Sequence, residues 1–132
     1  MVHETVHVST SIERRAVDVY AFVTDPANLS TWAAGLANSP LRHVDGHWVA
    51  DSPLGRVRVD FVDRNDFGVA DHEVTLPSGE RVTNPMRIIE NGDGRDVLFS
   101  VRRLPTMSEA EFASDVGAVA RDLASLRSLM EP

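Results

Sequence analysis

Apolar positions recur along this chain at two spacings, and the places where the spacing changes divide it into elements. Val2, Val6 and Val8 share one face of an alternating stretch over 2–10, which predicts a first strand. In Ala16-Val17-Asp18-Val19-Tyr20-Ala21-Phe22-Val23 the apolar residues fall at helical spacing instead. Asp25-Pro26 follows, an N-cap residue with proline at the first helical position, and predicts a second short helix through Leu36. From about residue 40 short β-rich runs alternate with Asp45-Gly46, Ser52-Pro53-Leu54-Gly55, Asn65-Asp66, Pro77-Ser78-Gly79 and Asn91-Gly92-Asp93-Gly94. Turn signals so closely spaced predict six consecutive strands joined as antiparallel hairpins.

After Pro105 the spacing becomes helical again. Ser108 and Glu111 stand in the Ser-x-x-Glu relation of a capping box. Beyond them Phe112, Val116, Val119, Leu123, Leu126 and Met130 form one apolar stripe at steps of three and four. The expected architecture is α+β: a seven-stranded curved antiparallel sheet around a long C-terminal helix, with two short helices after strand 1. Residues 1–132 form one domain in this reading.

Hairpin geometry predicts which side chains share a face, because directly opposed residues point the same way. With tight turns at the signals above, His72 is expected opposite Val59 on one side and Met86 on the other. Likewise Ala70 is placed opposite Phe61, Leu76 opposite Val82, and Met86 opposite Phe99. Asn84 falls opposite Val101, and Trp48 opposite both Val59 and His43. The inner row is then His43, Trp48, Val59, His72, Met86 and Phe99, apolar apart from two imidazoles. A bulge near Gly68 would shift part of it.

Composition narrows the function classes. Hydrophobic residues make up 42% and charged residues 25%, which permits a real core. Net charge is −7 with pI ≈ 5.1, repelling phosphate backbones and anionic lipid surfaces. Neither nucleic acid nor membrane is expected as a partner. All 13 basic residues are arginine, the mark of a GC-rich genome. Cysteine is absent, which removes disulfides, thiolate metal sites and cysteine nucleophiles. Met1-Val2-His3-Glu4 does not read as a signal peptide, so a cytoplasmic location is expected.

The entry Val19-Tyr20-Ala21-Phe22-Val23-Thr24-Asp25-Pro26-Ala27-Asn28-Leu29-Ser30-Thr31-Trp32 and the ending from Ala118 to Glu131 resemble the SRPBCC (START-like, Bet v 1-like) superfamily. The likeness is to its bacterial polyketide cyclase/dehydrase-like and lipid-transport-like members. Asp71-His72, Asn84-Pro85-Met86-Arg87 and Asn91-Gly92-Asp93-Gly94-Arg95 look like a subgroup of it. The resemblance spans nearly the whole chain and implies a helix-grip fold, with Trp32 at the pocket entrance and a homodimer as a compatible state. It leaves the role open among carriers, receptors, cyclases and chaperone cofactors.

His72 is the sharpest candidate for chemistry. An imidazole among Val59, Met86 and Phe99 has a shifted pKa and can serve as acid, base or ligand-bonding group, or as a neutral core histidine satisfied by Asn84. Asn84, an amide in an apolar set, needs a ligand or His72 as partner. Arg103 shares the inner phase at a strand end and reads as a ligand anchor or a rim residue. Trp32, Trp48, Val59, Phe61, Met86, Phe99, Val116 and Val119 complete the expected lining. No metal site is expected: on a strand His72 points away from Asp71 and Glu73, and His3 and His7 stand about 13 Å apart. No motif implies a cofactor. The leading reading is a binder of a small hydrophobic ligand such as a lipid, an isoprenoid or an aromatic, polyketide-like metabolite. Two alternatives are a cyclase, aromatase or dehydratase using His72 as acid or base, and an Hsp90-ATPase-activator-like interaction module. Gly117 inside the long helix reads either as a point of close approach or as a tolerated substitution.

Overall fold

The structure is a computed structural model that describes residues 1–131 except 35, 36, 38, 53 and 54; the side chains of 16 and 17 are also left undescribed. Strand β1 (Thr5–Ile12) leads into α1 (Ala16–Val23), a 3-10 turn at Pro26–Asn28 and α2 (Leu29–Trp32). The strands β2 (Arg42–Val44), β3 (His47–Ser52), β4 (Gly55–Phe61), β5 (His72–Thr75), β6 (Arg81–Asn84), β7 (Met86–Asn91) and β8 (Gly94–Arg102) follow. Helix α3 (Glu109–Met130) closes the chain. Strand β1 lies a few residues later than the 2–10 expected. Asp25 caps the 3-10 turn through the Ala27 N–H at 3.0 Å. The expected end of the second helix at Leu36 and the turn at Pro53-Leu54 lie outside the described residues.

The sheet is not one seven-stranded sheet. The described strands form a three-stranded sheet of order β1-β8-β7 and a five-stranded sheet of order β2-β3-β4-β5-β6. The additional strand arises at Pro85, which divides what alternation predicted as one strand into β6 and β7. Proline has no N–H to give to a ladder. Opposite it, the Asp71 carboxylate takes over, accepting from the Met86 N–H at 2.7 Å and pairing with Arg87. Past the break Val69 bridges Arg87, in the register that pairs His72 with Asn84. Gly68 permits this seam: its φ is +71°, and a side chain there would collide with the Ile88 carbonyl.

Four expected pairings are corrected: besides the two at His72, Phe61 does not face Ala70 and Val82 does not face Leu76. His72 stands opposite Phe61, not Val59, and opposite Asn84, not Met86. Val59 pairs with Val74, and Val74 with Val82. The first shift arises because residues 62–71 form a wide loop rather than a tight turn. The Asn65 side chain organises that loop, accepting from Phe67 N–H and Val69 N–H and donating to the Val69 carbonyl. The second arises because the β5–β6 turn centres on Pro77-Ser78-Gly79, with Gly79 at φ +91°. Both shifts are two residues long, so every side chain keeps its expected face. The pairs His43–Trp48, Trp48–Val59 and Met86–Phe99 stand as predicted.

Helix α3 begins with both arms of the capping box, each 3.1 Å. It packs on β1, β8 and α2. Phe112, Leu123, Leu126 and Met130 are buried, while Val116 and Val119 on the same stripe are only partly covered. No helix among the described residues is long and apolar enough to cross a membrane.

Candidate functional site

His72 opens β5 on the inner face and is 2% exposed. Its Nδ1 lies 3.1 Å from the Ala70 carbonyl oxygen. A carbonyl only accepts, so Nδ1 carries the proton and donates. Nε2, at the far end of the ring, is left with a lone pair, and no hydrogen bond reaches it among the described residues. Phe61 and Phe99 both lie against the imidazole, with ring centroids at 4.9 and 5.7 Å. Burial pushes the His72 pKa below its ordinary value; the Ala70 hydrogen bond and the Asp71 charge oppose that shift less strongly. The result is a neutral imidazole presenting an acceptor.

The other side chains expected to line the site differ in cover. Val59 and Met86 are sealed, at 1% and 0% exposure. Trp48, Phe61, Phe99, Leu76 and Val119 are partly buried against the core, and Val116 is similarly half-covered. Trp48 meets His43 edge-on at 5.0 Å. Trp32 ends α2 and is buried, yet its indole N–H has no hydrogen-bond partner among the described residues. A buried donor left unpaired costs roughly 1–3 kcal/mol, so such groups mark places where a partner belongs.

Asn84 faces His72 directly across the β5–β6 pair, half-exposed, and its amide makes no hydrogen bond among the described residues. The partner that satisfies His72 is therefore Ala70, not Asn84. Arg103 lies just past β8, with Nε donating to the Met107 carbonyl and Nη1 meeting Glu4 at 3.3 Å. It ties the strand end to the N-terminal segment. Gly117 is no point of close approach: an added methyl would meet only the Arg121 guanidinium, at 3.4 Å. Among the described residues no group of three or more His, Asp or Glu side chains is placed to hold a metal ion.

Two open grooves lie elsewhere, and none of the residues predicted as lining borders either. One, of about 430 Å³, runs from the end of β1 to the β7–β8 turn, along Ser11, Glu13, Asn91 and Asp93. The other, of about 500 Å³, lies beside the 62–71 loop, between Tyr20, Phe67, Ile89 and Arg95. Phe67 and Ile89 are exposed there. The hydroxyl of Tyr20 accepts from the Asn65 N–H at 3.1 Å and locks the loop to α1. Sequence reasoning missed Tyr20, Asn65 and Asp71. Asn65 read only as a turn residue, and its partner Tyr20 lies 45 positions away.

No protein-family model and no curated protein matches the chain. Solved structures do. DynU16, a protein of the dynemicin biosynthetic locus, is 14% identical over 98% of this chain, with a TM-score of 0.72. The chain spans about half of DynU16, 48% of its length. The Aha1 dimer from Colwellia psychrerythraea is 14% identical, over 99% of this chain and 97% of that one, with a TM-score of 0.75. CalU16 from Micromonospora echinospora is 14% identical, over 97% and 76%, with a TM-score of 0.68. At these identities the likeness is one of fold, and this chain shares the fold of all three.

Proposed function

From this START-like fold, we propose that the chain binds a small hydrophobic molecule between the inner faces of its two sheets and the middle of α3. The observation that carries the reading is His72: a neutral imidazole packed against Phe61 and Phe99 with its Nε2 unused. The unpaired indole N–H of Trp32 and the half-covered Val116 and Val119 support it. A few polar groups among apolar walls is the usual lining of a ligand pocket. The open grooves outside the sheet are less suited to an apolar guest, because ionised side chains border both.

A catalytic version has one observation in its favour, the neutral ring that could accept a proton. DynU16, from a biosynthetic locus, shares the fold. That version also needs a second group acting on the substrate, and no polar side chain bonds Nε2 among the described residues. Holding a ligand is therefore preferred to transforming it.

The test is native mass spectrometry of gently purified protein, followed by organic extraction. A stoichiometric apolar molecule released on extraction is the expected result. An empty protein, unmoved in a thermal-shift screen of lipids and aromatic polyketides, would remove the pocket reading and favour a protein partner. The same spectrum reads oligomeric state, and a homodimer, the form of the Aha1 relative, would appear at twice the chain mass.

A further inference from the structure

We infer that the ligand is uncharged and presents a hydroxyl to His72, as a phenol or alcohol does, rather than a carboxylate or phosphate. The inference rests on the pocket reading above and narrows its chemical class. It follows from where the ring's one proton sits. Nδ1 spends that proton on the Ala70 carbonyl, 3.1 Å away, so Nε2 can only accept. A carboxylate or phosphate oxygen would meet a lone pair with a lone pair. Protonating Nε2 to receive an anion is opposed by the burial of the ring.

The surroundings point the same way. Arg103, the cation in phase with the inner face near the end of β8, is engaged by Glu4 and the Met107 carbonyl. Asp71 beside His72 is negative and tied to Arg87. An anionic ligand would find no free cation within this set, whereas a neutral hydroxyl needs none. Phe61 and Phe99 against the imidazole suit an apolar, aromatic body behind the hydroxyl.

Three probes of similar shape separate these chemistries: 2-naphthol, naphthalene and 2-naphthoate, each titrated into ¹⁵N-labelled protein at neutral pH. We expect 2-naphthol to bind about tenfold tighter than naphthalene, one hydrogen bond's worth, and 2-naphthoate to bind more weakly than either. His72→Phe keeps a ring but removes the acceptor; it should abolish the preference for 2-naphthol over naphthalene. Equal binding of naphthol and naphthalene overturns the inference while leaving the pocket standing, and so does naphthoate binding tightest. If none of the three binds, the pocket reading falls and the inference with it. Should His72→Phe fail to fold, the ring ¹⁵N signals of the unaltered protein decide. Nδ1 should be protonated in the free state, and Nε2 should shift on adding 2-naphthol. A proton on Nε2 in the free protein overturns the inference outright.

Discussion

Leu123, Leu126 and Met130 are sealed at 1%, 0% and 8% exposure, whereas Val116 and Val119, earlier on the same stripe of α3, stay half-covered. The two stretches are alike in pattern: apolar residues at steps of three and four facing the sheet. The spacing of the apolar residues therefore does not explain the difference in cover. Sealed positions contribute cohesion, and half-covered apolar positions leave surface that another group can cover. On the proposed reading one helix divides its work, stability at its C-terminal end and ligand contact in its middle.

The widest expected separation is in stability. Leu126→Ala should cost about 3 kcal/mol in urea unfolding, as a fully buried leucine does, and Val119→Ala should cost about 1 kcal/mol or less. Equal costs would break the comparison. On the sheet side, Asp71→Ala leaves the buried end of the Pro85 break without its acceptor for the Met86 N–H. It should cost roughly 1–3 kcal/mol by the same measurement and loosen hydrogen exchange across β6 and β7. A loss under about 0.5 kcal/mol would mean that water serves the Met86 N–H equally well. In the middle of α3, Gly117→Ala has space and should add about 0.5–1 kcal/mol. A destabilised Gly117→Ala would show that the half-covered stretch is tighter than its exposure suggests.

The smallest effect is one of pH. The native state holds His72 neutral, with its pKa below the ordinary 6.5, so the unfolded chain binds the extra proton more readily. Stability tied to this ring is complete above pH 6.5 and falls as the pH drops from there toward the lowered native value. The slope cannot exceed one proton's worth. His72→Phe should flatten that part of the stability–pH curve; an unchanged slope would assign it to other groups.

Much of this was legible in the sequence, for identifiable reasons. Ser108 and Glu111 announce the start of α3 because a capping box is local and needs no knowledge of the rest of the chain. The faces of the strands survived two wrong registers because each error was two residues long, and strand geometry repeats every two. Pro85 carried the signal for the missed break, a proline inside an alternating run, but the replacement acceptor is Asp71, 15 positions away. His72 could be placed on the inner face from alternation alone. That its proton goes to Ala70, two residues back, depends on the chain's path at the Pro85 seam. So does the neighbouring Phe61, which only the widened 62–71 loop brings opposite it.

The most direct test of the account is where an apolar guest sits. Intermolecular NOEs between bound 2-naphthol and the labelled protein would locate it. Contacts to the rings of Phe61 and Phe99 and the methyls of Val116 and Val119 are expected. Contacts confined to Tyr20, Phe67 and Ile89 would place the guest in the outer groove and contradict the account.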